Sequence, residues 1–174
     1  MRFLVLSDVH GNLENVRRIL RRACDEGMER LSYVIFLGDG LRDMDALSYD
    51  GEFSWLPMLF VRGNCDFFGA SDTPELRELI FCGHKLLLTH GHRYEVKSGL
   101  SRLVSFALAK GADLVLFGHT HSACEIRLES GEDFFGVKLS RPLILFNPGS
   151  TGYGGEYGEI FVDDKEILCY RKKL

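Results

Sequence analysis

Five short runs of apolar residues constrain this chain most: RFLVLS at 2–7, YVIFLG at 33–38, MLFVRG at 58–63, KLLLTH at 85–90 and DLVLFG at 113–118. Each is nearly continuous, as in a strand buried on both faces, and such a strand needs cover from a second layer on either side. The stretch NLENVRRILRRACDEG at 12–27 lies between the first two runs. It places Leu13, Val16, Ile19, Leu20, Ala23 and Cys24 on one helical stripe, with Asn12 as cap and Gly27 as stop. A second helix is predicted over GLSRLVSFALAKG at 99–111, with a stripe through Leu100, Leu103, Val104 and Ala107. Beyond residue 122 the pattern changes to strands without helices: CEIRL, FFGVKLS, LILFN, GEIFV and EILCYRK. Together these predict an α/β chain in which helices cover the outer faces of two stacked sheets.

A chain of 174 residues suits one domain spanning 1–174, burying about 70% of its unfolded surface. The cysteines at 24, 65, 82, 124 and 169 are odd in number and form no C-x-x-C pair, which reads as reduced thiols in the cytoplasm. No stretch approaches the roughly 20 apolar residues of a membrane span. The formal charge of -4 provides no overall field for long nucleic acid, and leaves open a compact anionic substrate held by a local positive charge.

The polar residues after the runs are not scattered. Asp8 and His10 follow the first run, Asp39 the second and Asn64 the third; His90 ends the fourth, and His119 and His121 follow the fifth. In α/β sheets, ligands bind in the crevice beyond the carboxyl ends of the strands, where every one of these residues falls. His119 and His121 are two apart in extended chain, so their side chains can face one pocket. The set offers carboxylate, amide and imidazole donors without a thiolate, which suits Mn, Fe, Zn, Co or Ni. Seven donors exceed what one such ion takes. They match two ions sharing a bridging carboxylate, the arrangement that activates water and clamps the oxygens of an in-line displacement at phosphorus. Glycines precede Asp39, Asn64 and His119, letting the backbone turn sharply into a crowded centre.

The order D-x-H, GD, GN-x-D, HGH, GHTH, running to the NPGST loop at 147–151, resembles the calcineurin-like metallophosphoesterases, and the short length resembles their small single-domain bacterial and archaeal phosphodiesterases. The resemblance implies a four-layer α/β/β/α sandwich of two mixed sheets, with the metal site at the C-terminal ends of strands. It further implies one divalent ion on Asp8, His10, Asp39 and His121, and a second on Asp39, Asn64, His90 and His119. Mn is the first expectation; Ni, Co, Fe and Zn are the others. Asp39 would bridge, a hydroxide between the ions would attack phosphorus, and Asn64 and His119 would also position a small phosphodiester. A homo-oligomer stays open. Two other readings compete: a non-catalytic protein-binding scaffold, as in the small retromer subunit with its eroded metal site, and a phosphomonoesterase or protein phosphatase.

Phosphatase relatives read GN-H-D or GN-H-E, with the histidine as general acid, whereas this chain has Cys65. A thiol with a pKa near 8.5 is a poor substitute for imidazole, and Asp66 is left without the ring it would orient. Cys65 then reads as a small space-filling residue. His92 is either a group that touches substrate or replaces the acid, or a turn residue beside His90. His84, in CGHK, reads as part of a hairpin turn, and Arg17, Arg18, Arg21 and Arg22 as a solvated helix face with i, i+4 pairs such as Glu14 with Arg18. Phe67 and Phe68 suit a pocket wall, a subunit contact or the core.

Overall fold

The computed structural model describes residues 1–26, 30–49, 51–67 and 72–174. In chain order β1 (Arg2–Leu6), α1 (Leu13–Glu26), β2 (Leu31–Phe36), α2 (Leu41–Ser48) and β3 (Met58–Phe60) come first. They are followed by β4 (Leu76–Phe81), β5 (His84–Thr89), a 3₁₀ turn (His92–Tyr94), α3 (Ser101–Lys110) and β6 (Leu114–Leu116). The chain closes with β7 (Cys124–Leu128), β8 (Asp133–Phe134), β9 (Val137–Lys138), β10 (Leu143–Asn147), α4 (Thr151–Gly154), β11 (Glu156–Val162) and β12 (Ile167–Lys173).

Two five-stranded mixed sheets result, ordered β12-β11-β1-β2-β3 and β4-β5-β6-β10-β7. β1, β2 and β3 run parallel in the first; β5, β6 and β10 run parallel in the second. The continuous apolar runs are explained by what each face meets. Successive side chains of a strand point to opposite faces. Leu4 and Leu6 pack with Val16, Ile19 and Leu20 of α1 and with Met44 and Leu47 of α2. Phe3 and Val5, between them in sequence, join Leu86, Leu88, Leu114, Leu116 and Phe146 of the second sheet. On the far side of that sheet Leu87, Val115 and Leu145 meet Leu103, Val104 and Ala107 of α3. The layers are therefore helix, sheet, sheet, helix, the expected four-layer sandwich. Each of the Val, Leu, Ile, Phe and Met side chains among these, fully removed from water, contributes roughly 1.5–3 kcal/mol.

Asn12 caps α1 as predicted, accepting the Asn15 N–H at 3.2 Å; the predicted stop at Gly27 lies outside the described residues. Other expectations need correction. α2, β4 and α4 are additional elements. α2 escapes notice because it is short and starts directly after the GD loop, and β4 because it is an edge strand with alternating exposure. FFGVKLS is not one strand but a tight hairpin of β8 and β9 turning at Phe135 and Gly136. The strands before the polar residues also stop earlier than predicted, β3 at Phe60 and β6 at Leu116, so that Asn64 and His119 sit on loops. His84 opens β5, and the turn itself is Cys82 and Gly83, both at positive φ. Arg17 and Arg21 reach across to Glu52, where Arg21 binds bidentately at 2.6 and 2.9 Å. Among the described residues no helix is long and apolar enough to cross a membrane.

Candidate metal centre

The parallel strands of both sheets end at one edge, and the loops leaving β1, β2, β3, β5 and β6 bring the seven predicted donors together there. They fall into two groups. Asp8 Oδ1 lies 3.1 Å from His121 Nε2 and 3.9 Å from His10 Nε2, and the two imidazole nitrogens are 3.4 Å apart. In the other group His90 Nε2 lies 3.1 Å from Asn64 Oδ1, 3.1 Å from His119 Nδ1 and 3.3 Å from Asp39 Oδ2. Asp39 also has a donor atom within 4.8 Å of those of His10 and Cys65, so its carboxylate stands between the groups.

These donors suit a cation. His90 Nδ1 faces the Leu37 carbonyl at 2.7 Å; a carbonyl only accepts, so this nitrogen carries the proton and Nε2 of the neutral ring presents a lone pair to the centre. That lone pair then meets a carboxylate and an amide oxygen. Asp8 shows the same deficit: its Oδ2 accepts from Ser7 Oγ at 2.6 Å and from the His119 N–H at 3.1 Å, while Oδ1 is buried without a hydrogen-bond partner among the described residues. A buried carboxylate oxygen aimed at two imidazoles is the arrangement a divalent ion satisfies. Asp39 is buried, which by itself would raise its pKa, but a protonated His90, through its hydrogen bond and charge, and the Cys65 N–H at 2.7 Å hold it well below the carboxylate range; a cation bound at Nε2 would take the place of that proton. Burial lowers the His119 imidazole to about 4, so that ring is neutral at physiological pH.

The backbone is strained where the donors sit. Asp8 (φ 54°), His10 (46°), Asp39 (60°), His119 (68°) and His121 (57°) all lie in the left-handed region, at roughly 1–2 kcal/mol each. The donors themselves make most of the sharp turns, while the preceding glycines chiefly provide room. A Cβ on Gly63 would sit 2.1 Å from Asp39 Oδ1, and one on Gly118 would sit 2.0 Å from Ser7 Oγ.

Asp66 has not lost its purpose. Its carboxylate accepts the N–H groups of Asp39, Gly40, Leu41 and Gly63 at 2.8–2.9 Å, tying the GD loop to the GN loop and satisfying amides at the start of α2. Sequence reading missed this, and also Ser7, Asn147 and Ser150. Asn147 holds the GHTH loop through Gly118 O at 3.0 Å, and Ser150 Oγ donates to Asp8 O at 2.9 Å. The visible signal was the place of Asp66 inside the GN-x-D block and of Asn147 and Ser150 inside NPGST, with Ser7 directly before Asp8. Cys65 corrects another expectation: it is exposed rather than space-filling, and its Sγ accepts from Asn64 Nδ2 at 3.3 Å. Partial desolvation of the sulfur, together with the hydrogen bond and charge of Asp39 and the charges of Asp66 and Asp8, pushes its thiol up to about 11.

Beside Asn64 a cleft of about 350 Å³ is lined by Arg62, Phe67, Glu75, His92 and Arg93. His92 therefore faces this cleft, at 5.5 Å between ring centroids from His90, with its pKa lowered by burial and by the neighbouring His90. Phe67 stands exposed at the same cleft, and Phe68 lies outside the described residues.

The description of the calcineurin-like phosphoesterase superfamily domain matches residues 1–162. The chain belongs to this superfamily. Within it the chain is similar to the probable metallophosphoesterase YsnB of Bacillus subtilis, at 31% identity over 86% of this chain and 75% of the relative. It is also similar to the phosphodiesterase YfcE of Escherichia coli, at 25% identity over 97% of this chain and 90% of the relative. Among solved structures, wild-type Vps29 of Entamoeba histolytica in complex with Zn²⁺ shares the fold, with a TM-score of 0.69 at 19% identity, covering 99% of this chain and 98% of that one. The calcineurin-like sandwich is thus a fold common to proteins with different names.

Proposed function

We propose that this calcineurin-like chain, acting as one domain, is a phosphodiesterase that uses two divalent ions, Mn first among the candidates, on a small phosphodiester. The observation that carries the reading is the division of the donors into two groups with Asp39 between them, beside a buried Asp8 oxygen that no hydrogen bond satisfies. Asp8, His10, Asp39 and His121 would hold one ion; Asp39, Asn64, His90 and His119 would hold the other. When bound, the ions neutralise the phosphate and lower the pKa of the water that attacks phosphorus. The protein's part is positional. Leu37 O sets the His90 tautomer, Asp66 and Asn147 hold the loops, and Asn64 and His119 would position a phosphate oxygen.

The leaving group has two candidate partners. Cys65 keeps its proton at neutral pH and is a reluctant donor, while His92 lines the cleft beside Asn64 and is the better placed of the two. A diester fits this weak provision of acid when its leaving group departs easily. The intact donor set favours catalysis over a scaffold role. The test is hydrolysis of bis(p-nitrophenyl) phosphate by protein stripped with chelator, with and without added Mn²⁺, against p-nitrophenyl phosphate. Metal-dependent turnover that favours the diester supports the reading; metal-independent inactivity toward both esters supports a scaffold, and faster monoester hydrolysis a phosphatase.

A further inference from the structure

The side of the centre away from the cleft holds a residue that the metal chemistry does not use. Tyr153, on α4, has its ring centroid 5.4 Å from those of both His10 and His121, at interplanar angles of 39° and 35°. Yet 74% of the residue remains exposed. Its hydroxyl makes no hydrogen bond among the described residues.

The segment beneath the ring is held firmly to the loop that carries Asp8 and His10. The Gly152 N–H donates to Asp8 O at 3.1 Å, and the Gly152 carbonyl accepts from Asn12 Nδ2 at 2.8 Å. The Tyr153 N–H donates to Ser150 Oγ, which itself donates to Asp8 O. A Cβ on Gly152 would lie 2.2 Å from Val9 O, so the approach is as close as backbones allow. An aromatic ring on an anchored segment, open to solvent and beside two candidate ligands, offers a large contact surface at little cost in conformational entropy. The opposite side differs in chemistry: Arg62 and Arg93 there are already paired with Glu75, at 2.8 Å each.

We propose that Tyr153 is a substrate-positioning residue that stacks on a flat aromatic ester group of the phosphodiester, on the His10 and His121 side. The proposal rests on the phosphodiesterase reading and narrows its substrate class to diesters with a nucleobase or aryl group.

Thymidine 5′-(p-nitrophenyl) phosphate and methyl p-nitrophenyl phosphate share a leaving group and differ in the retained ester. With Mn²⁺-loaded protein, the wild type is expected to prefer the thymidine ester. Tyr153→Ala is expected to lose about tenfold more kcat/KM on the thymidine ester than on the methyl ester, mainly through KM, at the low end of a base–aromatic stack. Tyr153→Phe should keep the preference. Calorimetric titration with thymidine 5′-phosphate and methyl phosphate reads the same preference without turnover, so a wild type inert toward both esters would sink the phosphodiesterase reading while binding still decides the role of Tyr153. Equal losses on both probes, an undiminished preference in Tyr153→Ala, or its removal by Phe67→Ala alone would overturn the proposal.

Discussion

Asp66 Oδ2 accepts the backbone N–H of Asp39 at 2.8 Å, so the residue that stands between the two donor groups is positioned by a carboxylate from another loop. The same side chain serves three further amides. Asp66→Ala leaves them without their charged acceptor. Unfolding stability is expected to fall by about 3 kcal/mol, and Mn²⁺ affinity by about 10–100-fold. Denaturant titration and metal-binding titration read the two effects; unchanged metal affinity in a destabilised variant would mean that the loop does not set the Asp39 geometry.

Asp39→Asn should weaken both ions together and lower activity by orders of magnitude, because one carboxylate neutralises two cations. His10→Ala should weaken chiefly one. Metal analysis after dialysis separates the cases, and full occupancy in Asp39→Asn would rule out bridging.

Activity should fall as pH drops through about 6, because ligand imidazoles must be neutral to hold metal. Burial lowers the His90 pKa, but its hydrogen bond to Asp39 and the charges of Asp8 and Asp39 outweigh this and raise it, whereas His119 is lowered to about 4. Protons therefore compete at His90 before His119. Excess Mn²⁺ should move the acid limb to lower pH; a limb indifferent to metal concentration would assign it to a group outside the centre.

Cys65→Ser should change aryl diester turnover little, since an aryl leaving group departs as an anion without help. Cys65→His should raise alkyl ester turnover more than aryl, within the roughly 10²–10⁴-fold that a placed acid supplies. Loss of aryl turnover in Cys65→Ser with both ions retained would make the thiol a participant.

Away from the site, Glu159 is buried between Arg2 and Lys172, at 3.2 and 2.9 Å. Burial raises its pKa, but the hydrogen bonds and charges of Lys172 and Arg2 outweigh this and lower it below its ordinary 4.5. A depressed folded pKa gives stability that is present above the unfolded value and lost as pH falls through the folded one. Glu159→Gln should therefore cost about 3 kcal/mol at pH 7, with the gap to wild type narrowing below pH about 4.5. Thermal melts across pH read it, and a gap constant down to pH 3 would refute the assignment.

Much of this protein was legible in its order of residues. Continuous apolar runs require cover on both faces, so the layers and the α1 and α3 stripes follow from local patterning. The polar residue after each run marks the strand end where loops converge, and so the seven candidate donors that the structure gathers could be named. The rest depends on contacts between distant segments. The edge strand β4 becomes a strand only by pairing with β5, and α2 is settled by Leu41, Met44 and Leu47 finding the first sheet. Asp66 binds amides on a loop more than twenty residues away, and the ring of Tyr153 reaches His10 only because Gly152 meets Val9. Periodicity reports which face of an element is buried, whereas the partner that buries it, or the amide a carboxylate reaches, is set by how the loops close in three dimensions.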